Sequence, residues 1–178
     1  ADTELQVVLL LAQGERQQSK VERYVRHRHV DGLILMALHA GDTFADRLAD
    51  AHLPIVLVGR PPSARRLPYV DADNRAGARE ATELLLASGR TKVATITGPL
   101  DMNVAADRFD GYRDALPDGG PELVEGGDFT VAGAERAMQA LLARAPDLDA
   151  VFVASDPMAV GALLALRAAG RRVPDDVA

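Results

Sequence analysis

The sequence predicts an α/β protein built from parallel sheets, and three observations carry that prediction. Short apolar runs recur along the chain, segments with helical spacing separate them, and each helix is brief and returns directly to the next run. Strands alternating with helices of about 10–15 residues form right-handed βαβ units and hence parallel sheets. The layout occurs twice, the second time in a smaller version, which predicts two doubly wound lobes facing each other across a cleft: a first lobe over 1–98 and a second over 99–178.

The elements follow in order. LQVVLLLA (5–12) is a near-continuous apolar run, the mark of a strand covered on both faces, and Val21, Tyr24, Val25 and His29 give helical spacing to 19–30. GLILMAL (32–38) reads as a second buried strand. Asp42 or Thr43 can cap a helix running through Phe44, Leu48 and Ala49, and PIVLVG (54–59) is a third strand. Beyond the loop RPPSARRLP comes the short strand YVDA, then Asp73 or Asn74 capping a helix through Ala78, Ala81, Leu84 and Leu85 that stops at Gly89. KVATITG (92–98) is another buried strand, and the lobe boundary is placed near its last residue, Gly98. The second lobe reads as a helix over 103–116, the turn PDGGP, the strand ELVEG (122–126) and a helix over 131–145 with Ala134, Met138, Leu141 and Leu142 inward. DAVFVAS (149–155) is its next strand, and a helix over 157–170 ends at Gly170.

Composition narrows the function. The 178 residues are 48% hydrophobic and 26% charged, enough to bury a core. The absence of cysteine removes disulfides, thiolate metal sites and cysteine nucleophiles together and fits a reducing, cytoplasmic setting. His27, His29, His39 and His52 are scattered, and His27 and His29 lie two apart on a helix, so no metal site is expected. There is no G-x-G-x-x-G, no P-loop, no G-x-S-x-G and no base placed beside a nucleophile, so neither a catalytic residue nor a cofactor is expected. A formal charge of −6 argues against this chain gripping a polyanion by itself. No apolar run approaches the roughly 18 residues that span a bilayer, and the opening ADTELQ has no signal-peptide core, so no membrane partner is expected.

In doubly wound sheets, ligands sit beyond the carboxyl ends of the strands, which sorts the candidates. His39, Gly59 and Arg60 follow strands of the first half; Asp101, Met102, Val104 and Arg108 follow the strand over 92–98; Asp128 and Phe129 follow 122–126; Ser155 and Asp156 follow 149–154. An apolar ring, a guanidinium with five fixed donors, carboxylates and a hydroxyl suit a neutral polyhydroxylated ligand such as a sugar. Taken singly, the same residues have plainer readings: Asp156 before Pro157 as a helix cap with proline at the first helical position, Phe129 as core, Arg108 as a solvated helix residue.

Several words, in order and across almost the whole chain, resemble the LacI/GalR family of bacterial transcription regulators. They are VDGLIL (30–35), PIVLVGR (54–60), VDADNRAGAREATELLLASGRTKVATITGP (70–99), the R-x-x-G-Y of Arg108, Gly111 and Tyr112, GDF (127–129) and ASDPMAVGALLALRAAGRRVPDDVA (154–178). The resemblance implies a type I periplasmic-binding-protein-like effector core, with Arg108 reaching the effector, Asp101, Met102 and Val104 lining the same loop, Phe129 stacking on the ligand, and Ser155 meeting its hydroxyls. It also implies that the first strand and helix of the core, the upstream helix-turn-helix with its hinge helix, and the last strands lie outside this chain. Operator DNA would then be contacted only through that missing N-terminal domain, and a homodimer would form partly through the apolar helix 157–169. The expected effector is a neutral mono-, di- or oligosaccharide. A periplasmic sugar-binding protein of an ABC transporter is the alternative that shares the architecture.

Overall fold

In the computed structural model, which describes residues 4–37, 39–51, 53–61, 67–117 and 123–178, two three-stranded parallel sheets divide the chain. The first holds β1 (Leu33–Met36), β2 (Ile55–Val58) and β3 (Tyr69–Val70) in that order, with α1 (Glu15–Arg26) and α2 (Phe44–Ala49) as its helices. The second has the order β5-β4-β6, from β4 (Val93–Thr97), β5 (Leu123–Gly126) and β6 (Ala150–Val153), with α3 (Asn74–Ala87), α4 (Asn103–Ala115), α5 (Val131–Arg144) and α6 (Asp156–Ala168).

The second sheet is doubly wound. Its central strand β4 is buried at every residue, as a strand with helices on both faces must be. On one face α3 and α4 bring Leu85, Leu86, Phe109 and Tyr112 onto Val93, Val124, Ala150 and Phe152. Tyr112 is fully buried, and its hydroxyl donates to Val93 O at 2.9 Å, which removes the cost of burying the phenol. On the other face α5 and α6 lay Ala134, Met138, Leu141, Met158 and Leu166 over Ala94 and Ile96. Both helix pairs close on glycines. A Cβ at Gly111 would collide with Arg75 O of α3, and one at Gly161 with Val131 O of α5.

Among the described residues the first sheet is covered on one face only, which departs from the expectation of strands buried on both sides. Burial alternates along β1 and β2, so Leu33, Leu35, Ile55 and Leu57 meet Val21, Val25, Phe44 and Leu48, while Ile34 and Met36 remain 71% and 63% exposed. Residues 5–12 form no strand, and Val7 and Leu9 are 92% and 81% exposed. Strand preference is a preference for a half-buried pleated surface, and no described element offers that surface to this run. The apolar runs were legible, but the cover each receives depends on partners that sequence pattern does not name.

Other expectations shift at their edges. The lobe boundary expected near Gly98 falls instead between β3 and α3: β4 pairs with β5 and β6, so α3 and β4 belong to the second unit. Helix α1 starts at Glu15 after Gly14 rather than at 19, and β3 ends at Val70 because Asp71 turns the chain, accepting from the backbone N–H groups of Arg60 and Ala72. Of the two possible caps for α3, Asp73 takes the role, accepting from Ala76 N at 3.0 Å. Leu84, expected inward, is exposed, because the buried stripe runs through Asn74, Ala78 and Thr82. His52, Arg65 and Arg66 and most of the PDGGP turn lie outside the described residues.

Gly111→Ala should destabilise the protein by about 1–3 kcal/mol in urea unfolding, because α3 must retreat from the new methyl group. Gly77→Ala, in α3 with nothing within 4 Å of the added carbon, should stabilise it by about 0.5–1 kcal/mol.

Candidate functional site

The carboxyl ends of β4, β5 and β6 form one rim. Gly127 N donates to Thr97 O at 2.7 Å and Ala154 N to Ile96 O at 3.1 Å, so the residues leaving β5 and β6 flank the residues leaving β4. Phe129, just past β5, lays its ring over Gly98: a Cβ on that glycine would come within 2.2 Å of the ring. The phenylalanine is half-buried against the α5/α6 core and its backbone has φ +60°. A bulky residue in the left-handed region costs energy that surrounding structure must sustain, and such residues concentrate at functional sites. Phe129 therefore meets its plainer reading, as a residue packed on the core, and stands beside Gly98 at the strand ends.

Arg108 crosses from α4 to β6 and is held on two sides. Its Nη1 donates to Ala154 O at 2.5 Å and its Nε to Asn74 Oδ1 at 2.9 Å. Among the described residues Nη2 has no protein acceptor, which leaves one edge of the guanidinium for a ligand. The next residue after Ala154 is Ser155, whose Oγ is buried with no hydrogen-bond partner among the described residues. A buried hydroxyl without a partner costs about 1–3 kcal/mol. A free guanidinium edge and an unpartnered hydroxyl beside a held carbonyl are what a polyhydroxylated ligand would complete.

Helix α6 begins at Asp156, so Ser155 rather than Asp156 occupies the cap position, and its side chain makes no capping bond. Asp156 is exposed at the first helical position, with Pro157 second. Met102 is buried, in the corresponding place before α4. Val104 is half-buried one turn ahead of Arg108, on the same side of α4. Asp128 is spent locally: the hydroxyl and backbone N–H of Thr130 donate to it at 2.6 and 3.0 Å and hold its carboxyl below the usual range.

The first sheet meets this rim through the turn before α4 and the first turns of that helix. His39 Nδ1 lies 2.7 Å from Asp101 Oδ2, and Ala40 N donates to Asp101 O at 2.8 Å. Arg60 Nη2 donates to both carboxylate oxygens of Asp107, at 2.6 and 2.8 Å, while Asn103 Nδ2 donates to Arg60 O at 3.1 Å. Gly59, with φ +95° and its N–H bonded to Val70 O, turns the chain off β2 toward this contact. The His39–Asp101 pair is about half exposed, so it contributes at most about 1 kcal/mol. Asp107, Asn103 and Asn74 were not among the sequence candidates, since no spacing rule links residues tens of positions apart. Among the described residues no three acidic or histidine side chains gather closely enough to hold a metal ion, and no helix is long and apolar enough to cross a membrane.

This fold, a pair of parallel sheets joined near their strand ends, is that of periplasmic-binding-protein-like domains. A family model described as "Periplasmic binding protein domain" matches residues 7–178, and the chain belongs to that family, as an effector-binding core of the LacI/GalR type. It is 45% identical to the HTH-type transcriptional regulator CelR of Thermobifida fusca over 97% of its own length and 53% of that protein's. The ribose operon repressor of Escherichia coli K12 is 32% identical over 96% of the chain and 54% of the repressor. A solved CelR–cellobiose complex superposes with a TM-score of 0.83 at 45% identity, covering 93% of this chain and 52% of that one. The chain thus spans about half the length of the relatives it matches.

Ser155→Ala removes a buried hydroxyl that bonds to nothing described, so the stability of the ligand-free protein should hold within about 0.5 kcal/mol or rise in thermal or urea unfolding. A loss above about 1 kcal/mol would show that the hydroxyl already has a structural partner.

Proposed function

We propose that this chain is the effector-sensing core of a sugar-responsive LacI-type repressor. The observation that carries the reading is the pairing of Arg108, held with Nη2 open, with the unpartnered Ser155 hydroxyl, on the same rim as the half-buried ring of Phe129. A ring to stack on the C–H face of a sugar and polar groups for its hydroxyls form a binding site, and nothing in it constitutes a base and nucleophile. His39 and Asp101 already join the two units at the edge of the rim, so a ligand bound beside this pair would add to the contact between them. Cellobiose, the sugar in the complex of the 45% identical regulator, is the first candidate. The repressors among the relatives favour a regulator over a transporter's binding protein.

Closure would act on a DNA-binding domain N-terminal to this core, since a chain with formal charge −6 has little to offer phosphates. A ligand shifts a two-state equilibrium only by its differential affinity, typically about 1–3 kcal/mol of coupling between sites. Val160, Leu163 and Leu164 are about half exposed on α6, opposite its buried stripe, and form the proposed homodimer face. The setting is the cytoplasm, where operator DNA is.

In a thermal-shift panel of cellobiose, maltose, xylobiose, galactosides and ribose, one sugar should stabilise the protein by about 2.7 kcal/mol at 100 times its Kd. Arg108→Ala should abolish that shift. No response to any member, or a response that survives the substitution, overturns the sugar reading. Sedimentation of the full-length regulator should give a dimer that Leu163→Glu weakens; a strict monomer rules out the α6 face.

A further inference from the structure

We infer that Asn74 is the positioning residue for Arg108, and that Asp71 anchors it to the segment where the chain passes from the first sheet to the second. The inference rests on the sugar-sensing reading for what Arg108 binds, but the hold on the arginine is independent of it. Asn74 is 8% exposed, at the start of α3, with both amide hydrogens donated and its oxygen accepting one bond. Nδ2 donates to Asp71 Oδ1 at 2.9 Å and to Ala72 O at 3.1 Å, while Oδ1 accepts from Arg108 Nε at 2.9 Å. These partners decide which way the amide points. Flipped, it would aim its NH₂ at the Nε–H and its oxygen at a carboxylate and a carbonyl, losing three bonds at once.

Fixing Nε matters because a guanidinium is a rigid planar fork. With Nε on Asn74 and Nη1 on Ala154 O, the plane is determined and Nη2 is presented in one orientation. Two anchors on different elements do what neither could do alone: a single bond would leave the fork free to swing about it. A binding group held in place before the ligand arrives loses less freedom on binding.

The anchor continues beyond Asn74. Asp71 Oδ2 accepts from Arg60 N at 3.0 Å, and Arg60 follows Gly59 at the end of β2. The path therefore runs from the end of β2 through Asp71, Asn74 and Arg108 to the end of β6, joining the two sheets behind the rim. A movement of the first sheet that displaces Asp71 alters the plane in which Arg108 is offered.

The test reads the arginine directly. In ¹⁵N-resolved NMR, the Arg108 Nε–H, assigned by its disappearance in Arg108→Lys, should exchange slowly with water in the wild type. It should exchange rapidly in Asn74→Ala, while circular dichroism retains the wild-type helix content. Calorimetric Kd for cellobiose should rise about tenfold in the same variant, the factor that 1.4 kcal/mol represents. A wild-type Nε–H exchanging as fast as that of a solvent-exposed arginine overturns the inference whether or not any variant folds. So does an Asn74→Ala protein with unchanged exchange and affinity. If the wild type binds no cellobiose yet its Nε–H loses protection in Asn74→Ala, the hold on Arg108 stands and the choice of sugar is what fails.

Discussion

The rim depends on how the ends of β5 and β6 are hydrogen-bonded to the end of β4. Two backbone bonds, Gly127 N to Thr97 O and Ala154 N to Ile96 O, bring a ring-bearing turn and a serine-bearing turn to either side of Gly98. That glycine is the close point. Its missing side chain is the space that Phe129 fills, and Gly127 is tight for the same reason, since a Cβ there would collide with Met158 Sδ and Thr97 O. Parallel pairing makes all three strands end on the same side, so groups separated by about fifty residues in sequence can share one surface.

The two units differ in what they contribute. The second supplies the arginine, the ring and the hydroxyl on a sheet with helices on both faces. The first supplies His39, Gly59 and Arg60 on a short sheet with one covered face. Their contact is made of polar groups on the turn before α4 and its first turns: an exposed histidine–carboxylate pair, a forked arginine–carboxylate pair and one amide. Contacts of this sort are specific in geometry and modest in energy.

Much of this was legible in the sequence, for identifiable reasons. The buried strand β4 and helices α3 to α6 follow from apolar runs, periodic stripes and terminal glycines such as Gly89 and Gly170, all local signals. Arg108, Phe129 and Ser155 stood out because strand ends are where α/β proteins bind, and the structure brings all three to one rim. What stayed hidden was relational. Residues 5–12 are as apolar as any strand, yet pattern alone cannot say what would cover them. Asn74 was readable as a cap and nothing more, because its oxygen faces an arginine 34 positions away. The boundary between units was misplaced by one βα step, since β4 looks the same in sequence whichever sheet it joins.

The tight helix pairs of the second unit have a mechanical consequence. Where a glycine lets one helix backbone rest on the next, as at Gly111 on Arg75 O and Gly161 on Val131 O, a sliding movement meets a clash at once, and a close-packed interior transmits strain instead of absorbing it. The sheet between those pairs is thereby clamped from both faces, and a load applied at its strand ends is passed on whole.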